Sequence, residues 1–344
     1  MHDTPARAAL RQMGFLREVD GRAWLELSTS GTAAAPRTVR RSLASWEESF
    51  DHVSRLTGTV ESDRVLVPAP PSGSMFAFAH AHAAHVGAGV VALARWSLRD
   101  AEEALASCTV AHVTPAMLTG LLERDLGALR TVVCAGAALP DTVRQRAHEA
   151  GIEVVDYYGA AELSFVAMRV GARLDPFPEV DVDLRDGVIW VRSPWLADGY
   201  APGQSGPFTR DAEGWATVGD RGRVDDDLGL IVLGRGDDTV TTGGATVLCA
   251  DVETAVLTFP AVTAAVAIGT PHAALGELLE VVVTGVLPHD IDELRSHTAA
   301  LVSRTHIPRR WHAWSELPLT AAGKIDRAEV RRRLVTARTT EAGQ

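Results

Sequence analysis

The chain has 344 residues, 46% of them apolar, and a formal net charge of −11. That length allows two or three structural units with sizeable cores, and the acidic balance argues against nucleic acid as the main partner, because phosphate backbones reward a basic face. Cys108, Cys134 and Cys249 are widely spaced without a C-x-x-C pair, which indicates neither a disulfide framework nor a thiolate zinc site and fits a reducing cytoplasm.

The chain opens MHDTPARAALRQMGF, without the charged and apolar blocks of a signal peptide. A hydroxyl-rich stretch follows, Leu27-Ser28-Thr29-Ser30-Gly31-Thr32-Ala33-Ala34-Ala35-Pro36-Arg37. Such a turn aims backbone N–H groups and hydroxyls at phosphate oxygens, although by itself a polar loop between two strands explains it as well. The runs Arg64–Pro68, Gly89–Leu93, Thr109–Val113, Thr131–Cys134 and Glu153–Asp156 read as core strands. Leu98–Ala106, Pro115–Arg124 and Asp141–Ala150 between them carry helical spacing, so a wound α/β layer is expected. The apolar segment Gly73–Ala94 contains His80, His82 and His85 and several glycines, which predicts a buried helix and strand and no membrane span. Those three histidines share no helical face well and are expected to pack in the core and not to hold a metal.

From Val180 the texture becomes β-rich, with a hairpin over Asp183–Arg192 turning at Asp186-Gly187. A smaller α+β unit is expected after Gly234: a helix at Asp251–Thr258, strands near Val262–Ile268 and Leu279–Val286, a helix at Ile291–Arg304, and a last helix from Arg327. Of the 33 basic residues only Lys324 is a lysine. A compact ammonium can reach between oxygens of two different groups, where the planar guanidinium fork cannot.

Five motifs then occur in a fixed order: the hydroxyl-rich loop, Tyr158-Gly159-Ala160-Ala161-Glu162, Thr217-Val218-Gly219-Asp220, Gly234-Arg235-Gly236-Asp237-Asp238, and Pro318–Lys324. In combination they resemble T-S-G-T-T-G-x-P-K-G, Y-G-x-T-E, T-G-D, G-R-x-D-D and P-x-T-x-x-G-K of the adenylate-forming superfamily, in its acyl-CoA synthetase branch. The match runs from about Leu25 to Leu334. Thr241–Leu248 and Gly323–Arg327 also resemble the actinobacterial-type o-succinylbenzoate:CoA ligases.

The resemblance implies an α/β adenylate-forming fold. A large N-terminal domain over 1–236, its β-rich subdomain at about 180–236, would precede a small mobile α+β C-terminal domain over 237–344. With 27 residues before Ser28, the first subdomain of full-length members is expected to be missing or a remnant. The implied activity is an ATP-dependent carboxylic acid:CoA ligase that passes through an acyl-adenylate, using ATP, Mg²⁺ and CoA. A free-standing adenylation enzyme that loads an acyl carrier protein, and a catalytically impaired nucleotide-binding homologue, are the alternatives.

Carried onto this sequence, Thr29, Ser30, Gly31 and Thr32 would hold the ATP phosphates, and Glu162 would bind Mg²⁺ as a hard oxygen ligand. Gly136, Ala137 and Ala138 with Tyr157, Tyr158 and Gly159 would form the adenine slot. Asp220 and Arg235 would hold the ribose, and Lys324 would bridge substrate carboxylate and α-phosphate. Asp237 matches the hinge, and Gly243 and Gly244 the place where the thiol approaches. Ser72, Gly73, Met75 and Phe76 would line an acyl pocket for an aromatic or medium apolar acid. Against the family pattern, Ala34 and Thr38 replace glycines, Arg37 replaces lysine, and Ala161 replaces a threonine hydroxyl.

Overall fold

The computed structural model describes residues 4–19, 21–28, 37–71, 73–235, 239–242, 245–272 and 274–342. Thr29, Ser30, Gly31, Thr32, Ser72, Asp237, Gly243 and Gly244 lie outside them, as does the side chain of Arg235. The chain divides into two compact units. One comprises Met1–Leu139, Arg144–Val232 and Ala321–Lys324; the other comprises Pro140–Val143, Leu233–Thr320 and Ile325–Gln344.

The first unit begins with a helix, Pro5–Gln12, that the sequence reading did not anticipate. Its start is conventional: the Thr4 hydroxyl accepts from the Arg7 N–H at 3.2 Å, and Pro5 takes the first helical position. Strands Leu16–Val19, Arg22–Ser28, Thr38–Ser42 and Gly199–Tyr200 form an antiparallel sheet beside it. A second sheet contains five parallel strands in the order Gly89–Ala92, Arg64–Val67, Val110–Val113, Thr131–Cys134 and Glu153–Ala160. The helices Ser74–Val86, Leu98–Leu105, Pro115–Leu121 and Asp141–Glu149 fall between these strands in the chain, which is the wound layer expected.

Two expectations about these strands are corrected. Gly89–Ala92 is no core strand but the terminal strand of the sheet, with Val90 36% exposed. A short apolar run reads alike at the edge and the centre, because position in a sheet is not encoded locally. The strand from Glu153 continues past Asp156 to Ala160, because beyond its parallel neighbour it pairs antiparallel with Ser164–Val170. The β-rich portion therefore starts at Ser164, ahead of the expected Val180. Its hairpin turns where predicted: Asp186 and Gly187 have φ of 52° and 74°, the left-handed pair of a tight two-residue turn.

The core of this unit is aromatic. Phe78 meets Trp46, Phe50 and Phe165 edge-on at ring separations of 5.3, 5.3 and 4.9 Å, and Phe165 stacks on Phe177 at 5.0 Å. Each such buried ring contributes about 1.5–3 kcal/mol. His82 stacks on Phe78 and bonds the Ser54 hydroxyl at 2.9 Å, while His85 packs against Phe50 and Asp51. His82 thus packs in the core as expected, whereas His85 is exposed and lays its ring on Phe50 from the surface.

The second unit contains a sheet ordered Ala245–Leu248, Thr239–Thr242, Gly276–Thr284 and Ala264–His272, with Arg310–Ala313 parallel to Gly276–Thr284. Both faces of its central hairpin are covered. Ala265, Ala267, Val281 and Val283 pack with Val252 and Val256 of helix Cys249–Leu257 and with Leu294 of helix Ile291–Leu301. Val266, Ile268 and Val282 pack with Val330 and Leu334 of helix Arg327–Ala342. Burial on both faces explains the unbroken apolar run at Ala264–Ile268, since successive residues of a strand face opposite ways. Among the described residues no helix is long and apolar enough to cross a membrane.

Candidate active site

In parallel α/β sheets, ligands collect outside the carboxyl ends of the strands. Here Val113 lies opposite Cys134 and Cys134 opposite Asp156, so Thr114, Gly136 and Tyr157 follow one another along that edge. Thr114 ends one strand and caps helix Pro115–Leu121, its hydroxyl accepting from the Met117 N–H at 3.4 Å. The same hydroxyl donates to the carbonyl oxygen of Gly323 at 2.6 Å.

The segment Ala321–Lys324 belongs to this unit. Gly323 has φ +72°, a left-handed conformation that favours glycine, and a Cβ there would stand 2.1 Å from Met117 Cε, the flexible end of a side chain that would have to shift. The Lys324 side chain crosses Gly136, where a Cβ would stand 3.1 Å from Lys324 Cε. Gly73, just before helix Ser74–Val86, stands 4.0 Å from the Ala322 Cβ, measured from where its own Cβ would be. Lys324, Gly136 and Gly73, three residues picked from sequence for three roles, thus meet around one loop. Ala137 and Ala138 are exposed beside Gly136, Met75 is half-buried, and Phe76 is buried.

Neighbouring side chains on a strand point oppositely, and the two tyrosines separate accordingly. The Tyr158 hydroxyl donates to Asp220 Oδ2 at 2.8 Å. Tyr157 packs its ring 4.6 Å from Phe165, and burial pushes its phenol pKa up. Gly159 lies at a register shift between the strands, where a Cβ would strike the Ser164 carbonyl oxygen at 2.1 Å. The turn that leads into Asp220 is braced: the buried Thr217 hydroxyl donates to the Ile189 carbonyl at 2.7 Å and accepts from the Gly219 N–H at 3.0 Å.

Glu162 is only 4% exposed, in the turn after the strand that carries the tyrosines. The Tyr200 hydroxyl donates to its Oε1 at 2.8 Å. Burial, with the adjacent Glu162 charge, pushes the Tyr200 phenol up to about 12, so it remains a donor throughout the neutral range. Arg41 is buried beside this turn. It donates from Nε to Ser45 Oγ at 3.0 Å, from Nη1 to the Ala161 carbonyl at 3.3 Å, and from Nη2 to the Trp195 carbonyl. Burial pushes its pKa down to about 9 against the opposing pull of Asp198 and Glu162, and it stays charged at neutral pH.

Sequence reasoning missed Arg41, Tyr200, Thr114 and Met117. The Thr114-Pro115 pair signals a helix start, but nothing in the order of residues says that its hydroxyl also holds Gly323, far along the chain. Arg41 had no motif around it.

The AMP-binding enzyme model matches residues 27–201, and the AMP-binding enzyme C-terminal domain matches residues 251–324. The chain is 27% identical over 329 residues to an uncharacterized acyl–CoA ligase, YhfT, of Bacillus subtilis, covering 88% of this chain and 67% of that protein. It is 34% identical over 236 residues to a probable 2-succinylbenzoate–CoA ligase of Mycobacterium tuberculosis, covering 66% of this chain and 60% of that one. The chain thus spans about two thirds or less of the length of these relatives. The solved o-succinylbenzoate CoA synthetase of Bacillus subtilis, in complex with its acyl-adenylate intermediate, superposes with a TM-score of 0.71 at 24% identity, over 89% of this chain and 68% of that one. The family model covers more than half of the chain, its C-terminal partner follows in order, and the fold is that of the adenylate-forming enzymes: the chain belongs to the AMP-binding enzyme family, among the relatives named acyl–CoA ligases.

Proposed function

We propose that this chain joins a carboxylic acid to coenzyme A in two steps, using ATP. The acid's carboxylate attacks the α-phosphorus and pyrophosphate leaves; the thiol then attacks the acyl carbonyl of the adenylate and AMP leaves. The observation that carries the reading is the seat of Lys324, the chain's one lysine, across Gly136 at the carboxyl edge of the parallel sheet. An ammonium at that edge neutralises charge as the carboxylate and phosphate oxygens approach. Asp220, steadied by Tyr158, offers a carboxylate to two ribose hydroxyls, and Arg235 supports the same sugar. Thr29, Ser30, Gly31 and Thr32 cradle the phosphates. Asp237 serves as the hinge, and Gly243 and Gly244 admit the thiol.

Glu162 presents a hard oxygen whose neighbour Tyr200 donates to it, a donor set that suits Mg²⁺, which takes one or two protein carboxylates and fills its shell with water and phosphate. The ion supplies neutralisation of the triphosphate. The substrate class is an aromatic or medium apolar acid. Gly73 lies beside Ala322, two residues before the lysine, and the 2-succinylbenzoate–CoA ligase among the relatives acts on such an acid by its name.

The test is acid-dependent pyrophosphate release over a panel of aromatic, dicarboxylic and fatty acids, with and without CoA, products being read by mass spectrometry. One acid should yield an acyl-CoA, and Lys324→Ala should slow pyrophosphate release by roughly a hundredfold or more. Lys324→Arg should not restore it, because a guanidinium fork does not replace a point charge. ATP binding without acid-dependent pyrophosphate release would overturn the reading. Adenylate formation with transfer only to a phosphopantetheinylated carrier protein would replace CoA as the acceptor.

A further inference from the structure

Arg327, the last residue of the Gly323-Lys324-Ile325-Asp326-Arg327 motif, has no role in the chemistry above. In the second unit its Nη2 donates to both carboxylate oxygens of Glu253, at 2.6 and 2.7 Å, and its Nη1 donates to the Ala267 carbonyl at 3.0 Å. Glu253 Oε1 also accepts from the Ala267 N–H at 2.7 Å. Glutamate, arginine and one backbone unit of strand Ala264–His272 thus close a ring. Both side chains are mostly buried, at 15% and 27% exposure, and a guanidinium with one nitrogen on the carboxylate and the other on a backbone carbonyl is fixed in orientation as well as distance.

The chain leading into Arg327 is closed at its base. The Asp326 N–H donates to the Pro318 carbonyl at 2.8 Å, Leu319 bridges Ile325, and Asp326 Oδ1 caps the last helix by accepting from the Glu329 N–H at 2.9 Å. A loop pinched at Leu319 and Ile325 has few ways to move except as one piece with its base. That base is anchored on one side by Arg327.

Resting on the ligase reading above, we propose that Glu253 and Arg327 are positioning residues for Lys324: their ion pair clamps the base of the loop and so sets where the ammonium is delivered during adenylate formation. Neither touches substrate. The clamp acts on the half-reaction that uses Lys324 and leaves the thiol-transfer half-reaction alone.

The test uses the full chain with Glu253→Gln, which preserves shape but breaks the charged pair, and Arg327→Lys, which keeps the charge but loses the fork. The readouts are pyrophosphate release with 2-succinylbenzoate and with the panel's best acid, thioester formation from the chemically made acyl-adenylate and CoA, the thermal midpoint, and hydrogen exchange of the 318–327 peptide. In both variants adenylate formation should fall roughly tenfold or more in kcat, with the KM for ATP little changed. Thioester formation should stay near the parent value, the thermal midpoint should fall by a few degrees because a mostly buried pair is broken, and exchange over 318–327 should quicken by about tenfold. Equal loss in both half-reactions, or unchanged exchange in that peptide, would overturn the clamp. A parent chain inert with every acid would overturn the ligase reading and the positioning role with it, while the exchange data would still decide whether the ion pair holds the loop.

Discussion

The Thr114 hydroxyl donates to the carbonyl oxygen of Gly323 at 2.6 Å, fixing the backbone immediately before Lys324. One hydroxyl thereby ends a parallel strand, caps the next helix and holds a loop from the far end of the chain. The Gly323 carbonyl is buried where it is bonded, so losing its donor strands an acceptor away from water.

Thr114→Val removes the hydroxyl with little change in shape. Adenylate formation should fall by roughly tenfold, and the lost cap should cost about 1 kcal/mol of stability. Thr114→Ser, which keeps the hydroxyl, should recover most of both. Pyrophosphate release and urea unfolding of the two variants check this. A valine variant as active as the parent would remove Thr114 from the seat of the lysine.

Tyr200→Phe deletes the donor to Glu162 Oε1 and leaves the ring in place. If Glu162 holds Mg²⁺, the variant should need a several-fold different Mg²⁺ concentration for half-maximal pyrophosphate release, and stability should fall by about 1–3 kcal/mol because a buried carboxylate loses its donor. Isothermal titration of MgATP onto the variant gives an independent measure, and identical Mg²⁺ dependence would separate Tyr200 from any metal role.

Acid should destabilise the first unit through buried histidines. Burial, with the His85 charge nearby, pushes His82 down to about 4, and burial with His82 and His80 nearby pushes His112 down to about 3. Unfolded, both take up a proton near pH 6.5. Between that pH and their folded values the unfolded chain binds more protons. Their contribution is therefore complete above pH 6.5 and is lost as pH falls toward 4, by about 1.4 kcal/mol per pH unit for each group. Urea midpoints at pH 7 and 5 should separate widely, and His82→Gln should narrow the gap. An unchanged gap in that variant would assign the acid sensitivity to other groups.

Much of this was legible in the order of residues, because the signals were local. The helix start at Thr114-Pro115, the Asp186-Gly187 turn and the two-faced apolar strand at Ala264–Ile268 each follow from torsional preference or periodicity within a few residues. Five motifs in fixed order marked the family and singled out Lys324, since their chemistry is carried by residue type and spacing. The tertiary structure decided what depends on distance between remote parts of the chain. It made Gly89–Ala92 an edge strand, buried the unpaired-looking charge of Arg41 among the Ala161 and Trp195 carbonyls, gave Glu162 its Tyr200 partner, and brought Gly323 to Thr114. Such pairings arise from how sheets stack and loops close, and a hydrogen bond across two hundred residues leaves no periodic trace in the sequence that makes it.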